Sequence, residues 1–454
     1  MFFEYRPCGP TRRGEDLRVL LHAFRPRWVI GNGTFCETAR LLADGNSCDQ
    51  AARSLAARFD IAFERAVQDV RYVTDCLFSM GFFGETSTPP THPRIPNLKT
   101  LQVYITGRCN LACPHCCTTN MPEGDLAPDS FRKMVDELVD LGGKNITLTG
   151  GEALLHLDLK ELLAYGGRHC AMTVLTNGTL LDGEWARFLA GLGDVHIQVS
   201  LDGSRKEVHD AIRGKGTFER ALRGIEHLHE AGLGGKLTLA ATVMARNLFD
   251  LPGIVDLAAR LGVPRLRFIP LRKKGRAERE WDVIGAPVDA GDYEKLFDLM
   301  LGRGNGNTPA VDVSCGLDGF VIALPEAFPT DDLWCPVGTQ LVVTAQGDAY
   351  PCMLLEEKQF GLGNVFREGL ARVTASEGMK RVCATLAERR RKIEECARCP
   401  WRNFCQGGCM GQAMSERGTV WEKGRFCAYR QRRYEESFMK LVNGAAARQG
   451  EERR

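Results

Sequence analysis

Three cysteines within eight residues constrain this chain more than any other feature of its sequence. The segment from Cys109 to Cys116 reads Cys-Asn-Leu-Ala-Cys-Pro-His-Cys and follows an apolar, strand-like run at 101–105. Thiols at these spacings can surround one face of an iron-sulfur cluster, which normally takes four protein ligands. One iron would then be left for another ligand. A zinc site completed by His115 or Cys117 is the alternative.

A Gly-Gly-Glu triplet stands one helix and one strand further along the chain. Gly150, Gly151 and Glu152 follow an apolar run at 145–148, which itself follows a helical pattern at 129–141. Glycine lets the backbone approach a ligand closely, and Glu152 adds a carboxylate acceptor. On its own such a triplet is most often an ordinary loop. Its place after the cysteine segment indicates a second part of the same site.

Both segments resemble signatures of the radical S-adenosylmethionine (SAM) enzymes. The cysteine segment is similar to their Cx3CxxC loop, and the triplet is similar to their GGEP motif, with Ala153 in place of the proline. The resemblance implies a 4Fe-4S cluster on Cys109, Cys113 and Cys116, whose open iron chelates SAM. It also implies a set of SAM contacts, namely His115, Gly150, Gly151, Glu152, Asn177, Ser200 and Arg213.

Three of these SAM contacts have a plainer interpretation that the sequence leaves open. Asn177 precedes Gly178 and is also typical of a turn. Arg213 is equally typical of a solvated surface, and His115 of an ordinary loop. The sequence does not identify the acid, base or other catalytic residue.

Short β-rich runs alternate with amphipathic helical runs from residue 101 onwards. Strands are predicted at 101–106, 145–149, 171–176, 195–201, 237–244 and 265–270, and helices at 129–141, 158–166, 183–191, 217–231, 251–261 and near 291–301. This alternation predicts an α/β fold with a parallel sheet. The family resemblance implies a partial (β/α)6 barrel over residues 99–305. The motifs fall at the carboxyl ends of strands, where barrel active sites lie.

A second array of cysteines lies between residues 335 and 427. Its pattern, C-x11-G-x4-C followed by CxxCx5Cx3C and a final cysteine, resembles the SPASM domain, which carries two auxiliary 4Fe-4S clusters. The resemblance implies that Cys335, Cys352 and Cys409 bind the first auxiliary cluster, and that Cys396, Cys399, Cys405 and Cys427 bind the second. Cys315 is the candidate for the missing ligand of the first cluster, and a position left open for substrate is the alternative. The domain is expected at 306–442, followed by a disordered tail at 443–454.

Composition narrows the cellular setting. The chain contains 18 cysteines and has a net charge of +2. Because no secretory segment is recognisable at the N-terminus, so many cysteines indicate metal sites in the reducing cytoplasm and not disulfides. The balanced charge gives no bulk attraction to nucleic acid or anionic membranes, and no apolar run reaches the ~18 residues of a membrane helix. We therefore expect a cytoplasmic protein without nucleic-acid or membrane partners.

Residues 1–85 predict a separate small domain, joined to the rest by a Pro-rich linker at 86–98. A strand-like run at 28–32 precedes helical patterns at 34–42, 48–59 and 64–80, an order typical of a winged-helix module. The segment resembles the PqqD-like recognition element of ribosomal-peptide maturases, where a leader peptide adds to a sheet edge. DNA binding is the alternative, but residues 24–84 contain seven Arg and seven Asp or Glu, without the basic excess of a phosphate-binding surface. The basic run at 272–276 is expected to be a solvated loop.

Together these features predict a radical SAM peptide maturase, an oxidoreductase with SAM and three 4Fe-4S clusters as cofactors. The resemblance implies that a 5'-deoxyadenosyl radical takes a hydrogen atom from a ribosomally made precursor peptide bound through its leader. A thioether or carbon-carbon crosslink would follow, with a reductant such as flavodoxin or ferredoxin as a second partner. The alternatives are an anaerobic sulfatase-maturase-like enzyme, a radical SAM enzyme acting on a small molecule or tetrapyrrole, and a redox-sensing regulator.

Overall fold

Two β-sheets organise the chain, a small antiparallel one and a large, mostly parallel one. The computed structural model describes residues 2–5, 17–23, 27–83, 97–118, 124–282, 284, 288, 291–292, 311–315, 335–424 and 426–451. The Pro-rich stretch at 86–96 and nearly all of the helix expected near 291–301 lie outside these residues.

The small sheet and three helices form the N-terminal part. Its strands are β1 (Phe2–Tyr5), β2 (Arg18–His22) and β3 (Trp28–Gly31), with β2 in the centre. The helices are α1 (Gly33–Ala43), α2 (Cys48–Phe59) and α3 (Phe63–Ser79), which confirms the three expected helices. Asn32 caps α1 by accepting a hydrogen bond from Phe35 N, and Ser47 forms a capping box with Gln50 at α2.

The large sheet has ten strands, eight of them parallel. They are β4 (Thr100–Thr106), β5 (Asn145–Gly150), β6 (Ala171–Thr176), β7 (Val195–Ser200), β8 (Leu237–Val243), β9 (Arg265–Pro270), β10 (Asp312–Cys315), β11 (Gln340–Val343), β12 (Asp348–Tyr350) and β13 (Gly363–Asn364). Their order is β10-β9-β8-β7-β6-β5-β4-β11-β12-β13, and only β12 and β13 are antiparallel to their neighbours. The six expected strands are β4 to β9. The structure places β10 beside β9 in the barrel sheet, although the expected boundary at 306 assigns it to the next domain.

The helices of this part are α4 (Pro128–Asp140), α5 (Leu159–Gly166), α6 (Gly183–Ala190), α7 (Lys206–Arg213), α8 (Thr217–Glu230), α9 (Leu251–Arg260) and the short α10 (Arg276–Arg279). Five of them bury side chains in the core of the sheet, whereas α7 and α10 pack in a separate cluster. The same five match the expected helices. The sequence analysis did not predict α7, which carries Arg213.

The two faces of the parallel strands differ in polarity. On β7, Val195, Ile197 and Val199 are buried in the core beneath the helices. The alternate residues on the other face, such as Gln198 and Ser200, are only half-buried. Side chains alternate between faces along a strand, so the sheet presents a polar inner face that is not filled by core side chains.

The C-terminal part consists mainly of helices. They are α11 (Val365–Glu368), α12 (Leu370–Thr374), α13 (Glu377–Lys392), α14 (Glu394–Ala397), α15 (Arg402–Cys405), α16 (Met410–Arg417) and α17 (Cys427–Glu451). The last helix, α17, continues through the alanines at 445–447, which favour helix, to Glu451. The disorder expected of the tail stays a prediction. Among the described helices, none combines the length and the apolar character needed to cross a bilayer.

The N-terminal part packs against the C-terminal part. One buried cluster contains Leu17, Val19, Leu21, Trp401, Phe404, Tyr434, Phe438 and Val442. Arg402 Nη2 donates a hydrogen bond to Ala23 O at 3.0 Å. Asn403 Nδ2 donates to His22 O at 2.8 Å. Leu20 of β2 packs within the N-terminal part, whereas Val19 and Leu21 of the same strand pack against residues from the other end of the chain. The two parts therefore share a buried cluster, and the expected independent folding of the N-terminal unit stays a prediction.

Candidate functional site

The cysteine loop begins where β4 ends. Cys109 is exposed, Cys116 is half-buried and Cys113 is buried. Burial raises the pKa of the Cys113 thiol to about 11; Arg213 opposes this rise and the other two thiols add to it. The three thiols are therefore neighbours that share one electrostatic environment.

The spacing of the possible ligands bears on the zinc alternative. Among the residues that the structure describes, no three His, Cys, Asp or Glu side chains lie close enough together to hold a single metal ion. A 4Fe-4S cluster binds each thiolate through its own iron, so its ligands are further apart than those of a tetrahedral zinc ion. The separation of the thiols is thus the property that distinguishes a cluster from a zinc site.

Gly150 and Gly151 bring the end of β5 against the backbone of the cysteine loop. A Cβ at Gly150 would lie 2.2 Å from Thr106 O, and one at Gly151 would lie 2.2 Å from Arg108 O. Two hydrogen bonds hold this contact, from Gly151 N to Thr106 O (2.9 Å) and from Glu152 N to Arg108 O (2.8 Å). The backbone that the glycines approach is thus the chain's own. Their expected contact with SAM stays a prediction.

The Glu152 carboxylate is buried and holds the end of β6. It accepts hydrogen bonds from Leu154 N (3.1 Å), Thr176 Oγ1 (2.7 Å) and Asn177 N (2.7 Å). Burial raises the pKa of Glu152, and these donors oppose the rise. Each carboxylate oxygen has more than one acceptor position, so Glu152 can serve the protein and a ligand ammonium at once.

Asn177 ties the end of β6 to the cysteine loop. Its Nδ2 donates to Asn110 Oδ1 at 2.8 Å, and its Oδ1 accepts from Thr179 N at 2.9 Å. The side chain of Asn177 therefore makes the contacts of a turn residue, which was the alternative to its role as a SAM contact. Ser200, the last residue of β7, differs: among the described residues its hydroxyl has no hydrogen-bond partner.

Arg213 lies in the interior and not on a solvated surface. Its side chain is 11% exposed, and its Nε donates to Asp202 Oδ2 at 2.6 Å. His115 Nε2 lies 3.3 Å from the same oxygen. Burial disfavours the ionised form of Asp202, but Arg213 and His115 outweigh burial and lower its pKa. The sequence analysis assigned no role to Asp202, although it follows Ser200 by two residues at the end of a strand.

The groups left free around the cysteine loop match the chemistry of SAM. Burial lowers the pKa of His115 to about 4, and its Nδ1 is buried with no partner among the described residues. The terminal nitrogens of Arg213 likewise make no hydrogen bond there. A guanidinium suits a carboxylate, and the Ser200 hydroxyl suits a ribose. These residues would hold SAM beside the thiols.

A cluster of buried polar side chains lies between the cysteine loop and the C-terminal cysteines. The sequence analysis did not predict it. Tyr104 Oη donates to Glu356 Oε1 at 2.7 Å. Lys274 forms an ion pair with Glu356 and donates to Met353 O at 3.1 Å. Burial raises the pKa of Tyr104 well above its usual range, and the charge of Glu356 adds to the rise. No motif marks this group because its members come from distant segments.

The basic run at 272–276 is not the solvated loop that we expected. Besides the Lys274 ion pair, Arg276 Nη1 donates to Cys113 O at 3.0 Å. A Cβ at Gly275 would lie 2.9 Å from Cys116 O. The segment after β9 therefore packs on the cysteine loop and holds it in place.

Four cysteines of the C-terminal array line one cavity. They are Cys396, Cys399, Cys405 and Cys427. Trp401 and Tyr434, from the cluster shared with the N-terminal part, line the same cavity. Burial raises the pKa of Cys396 to about 12, and the other three thiols add to the rise. The structure thus brings together all four residues assigned to the second auxiliary cluster.

The remaining thiols of the array form a second group. Cys352 and Cys409 both lie within electrostatic reach of Cys335, whose pKa is raised chiefly by burial. Cys315 ends β10, at the other end of the sheet from β11 and β12. Its role as the fourth ligand stays a prediction. Cys383, fully buried on α13, is a further thiol within reach of Cys335.

Replacing Gly151 by alanine should displace the cysteine loop. The new Cβ would overlap the Arg108 carbonyl, which is backbone and cannot rotate away. We expect the purified protein to lose about four irons per chain and most of its SAM binding. Gly235→Ala is the matched control, because nothing lies within 4 Å of a Cβ there. Equal iron content in both variants would contradict the proposed role of the glycine.

Comparison with known proteins agrees with this arrangement. The radical SAM superfamily model matches residues 103–258, and the SPASM model, an iron-sulfur cluster-binding domain, matches residues 335–400. The mycofactocin maturase MftC of Mycolicibacterium smegmatis is 30% identical over 316 residues, covering 67% of this chain and 76% of the relative. The AdoMet-dependent heme synthase of Nitratidesulfovibrio vulgaris is 28% identical, covering 74% of this chain and 94% of the relative.

A solved structure shares the fold over nearly the whole chain. Streptococcus suis SuiB bound to precursor peptide SuiA aligns with a TM-score of 0.60 at 15% identity, covering 94% of this chain and 100% of SuiB. The expected fold class is confirmed, as are SAM and multiple 4Fe-4S clusters as cofactors. The chain therefore belongs to the radical SAM superfamily and is an enzyme with a C-terminal SPASM domain.

Proposed function

We propose that this enzyme modifies a ribosomally made precursor peptide, which it binds through the peptide's leader segment. When bound, the reduced cluster and SAM supply a 5'-deoxyadenosyl radical that abstracts a hydrogen atom from the peptide. The product is a thioether or carbon-carbon crosslink. A maturase relative and the likeness to a peptide-bound SuiB structure support a peptide substrate.

The main structural support for this proposal comes from the N-terminal part. It has a three-stranded sheet in which β1 and β3 each pair only with β2 among the described strands. An extended peptide can add to such an edge through main-chain hydrogen bonds. Four of the eight large apolar side chains that are exposed in the described residues belong to this part, namely Phe59, Tyr72, Phe78 and Met80. A leader peptide would cover them.

The polar inner face of the sheet suits the part of the same peptide that is modified. It leads from the cysteine loop towards Glu356, whose side chain is 10% exposed. Closure of the crosslink releases one further proton and one electron. We infer that Glu356 accepts the proton and that an auxiliary cluster accepts the electron. Tyr104 and Lys274 hold the carboxylate in place for this role.

The first test is whether a short precursor peptide is encoded beside this gene, since the proposal requires one. The anaerobically reconstituted enzyme would be incubated with SAM, dithionite and that peptide, and the product analysed by mass spectrometry. We expect a peptide that has lost hydrogen, with the crosslink located by fragmentation. An unmodified peptide under conditions that consume SAM would overturn the proposal.

Glu356→Gln should uncouple SAM cleavage from peptide modification. The variant keeps the shape of the side chain but cannot take up a proton. We expect 5'-deoxyadenosine to form as in the wild type while crosslinked peptide falls at least about 100-fold, the lower range for general-base catalysis. Glu377→Gln, at an exposed glutamate of α13, is the control. Normal crosslinking by the Glu356 variant would exclude the assigned role.

Modification of a tetrapyrrole is the second candidate function. The similarity to a heme synthase covers 94% of that relative, a larger share than for the maturase. The enzyme would be incubated with iron coproporphyrin in place of the peptide. Decarboxylated porphyrin, with no change in the peptide, would favour this function over peptide maturation.

A further inference from the structure

Arg389 is a buried cation, and it has no acidic partner in the part of the chain that the structure describes. It lies on α13 with no measurable exposure. Its Nη2 donates to Gly407 O (2.9 Å) and to Glu422 O (3.0 Å). Its Nε and Nη1 are buried and have no hydrogen-bond partner among the described residues. A buried charge is strongly unfavourable unless an opposite charge compensates it, so the site is built for an anion.

The position of Arg389 identifies that anion. Gly407 lies between Cys405 and Cys409, which are assigned to different auxiliary clusters. The turn there takes positive φ angles at Gln406 (54°), Gly407 (80°) and Gly408 (76°), and its Gly407 carbonyl accepts the hydrogen bond from Arg389. Arg389 is within electrostatic reach of thiols from both groups, namely Cys335, Cys396, Cys405 and Cys409.

Arg430 is a second buried guanidinium, and it lies at the thiols assigned to the second cluster. It is 1% exposed and lines the cavity of the four cysteines assigned to the second cluster. Its Nε and Nη2 are buried without a partner among the described residues. A Cβ at Gly408 would lie 2.4 Å from Arg430 Nη1, so the glycine makes room for the guanidinium beside the thiols.

We propose that Arg389 and Arg430 set the reduction potentials of the auxiliary clusters, Arg389 acting on both and Arg430 on the second alone. A 4Fe-4S cluster on thiolates is an anion whose negative charge grows when it takes up an electron. A fixed cation nearby stabilises the reduced form more than the oxidised form, and it does so strongly where water is excluded. Both arginines therefore raise the potential. The inference rests on the cysteine assignments and is independent of the substrate.

The test is a redox titration followed by electron paramagnetic resonance. The full-length chain would carry alanine at Cys109, Cys113 and Cys116, so that only the auxiliary clusters give signals. Arg389→Met, which removes the charge and keeps the bulk, should lower both midpoint potentials. A tenfold change in the reduction equilibrium corresponds to about 59 mV for one electron, and we expect at least that shift. Arg430→Met should lower one potential only.

Two further variants separate charge from packing. Arg389→Lys keeps the charge and should stay near the wild-type potentials, and Arg391→Met removes an exposed charge from the same helix and should change neither. Equal shifts in Arg389→Lys and Arg389→Met, or no shift in either, would overturn the proposal. The Arg389→Met variant could bind less iron in its auxiliary clusters while Arg389→Lys binds the wild-type amount. The positive charge would then already be needed when these clusters assemble. Loss of iron in both variants would show a packing role instead. Wild-type protein with only about four irons per chain would refute the cysteine assignments themselves.

Discussion

The Cys113→Ala variant should produce no 5'-deoxyadenosine from SAM under dithionite. The loop after β4 supplies three thiols, and Cys113 is the buried one among them. Without Cys113, the loop cannot hold the cluster that cleaves SAM. The auxiliary cysteines belong to other segments, so iron should fall only from about twelve to about eight per chain. Chromatography of the nucleoside products and iron assays measure the two quantities.

Cys117→Ala is the matched control for this experiment. Cys117 is the adjacent thiol, and no cluster is assigned to it. We expect this variant to keep both its iron and its SAM cleavage. If Cys117→Ala lost cleavage while Cys113→Ala retained it, the ligand set in the loop would be wrong.

Removing residues 1–97 should destabilise the C-terminal domain and not only abolish peptide binding. The deletion takes Leu17, Val19 and Leu21 from the shared cluster and exposes its aromatic side chains to water. Each such aliphatic side chain contributes about 1.5–3 kcal/mol when fully buried. Because Trp401 and Tyr434 line the cavity of the second cluster, we expect about four irons to be lost and the melting temperature to fall. SAM cleavage should remain, since the cysteine loop belongs to the barrel.

A double variant at the exposed surface separates recognition from stability. Tyr72 and Phe78 are 66% and 60% exposed and belong to the same N-terminal part. Replacing both by alanine should weaken binding of the precursor peptide, measured by calorimetry, with iron content and melting temperature unchanged. A truncated protein with full iron content and an unchanged melting temperature would show that the shared cluster contributes little. Unchanged peptide affinity in the double variant would place the recognition surface elsewhere.

The sequence predicted those features that depend on local pattern. Hydrophobic periodicity located β4 to β9 and five of the barrel helices. The resemblance to the SPASM domain divided the cysteine array into two groups, and the structure brings the members of each group together. Local turn chemistry was also informative, since Asn177 makes the turn contacts that its type suggests. These features follow from neighbours along the chain, which a single sequence displays.

Features that depend on distant contacts were not predicted. The Tyr104 and Glu356 hydrogen bond joins residues 252 positions apart, and no spacing rule connects them. A Pro-rich stretch predicted a separate N-terminal unit, and nothing in the sequence indicated that one face of its central strand packs against residues near the other terminus. The basic run was expected in solvent because charge is usually solvated, whereas Arg276 and Lys274 find partners within the fold.

The pairing of β11 with β4 joins the barrel to the C-terminal domain. Val103 on β4 lies opposite Val343 on β11 in a parallel ladder, so the two parts share one continuous sheet. A hinge between the two halves would break that ladder. The separation between the cysteine loop, which follows β4, and Cys352, which follows β12, is therefore set by strand pairing and not by a linker.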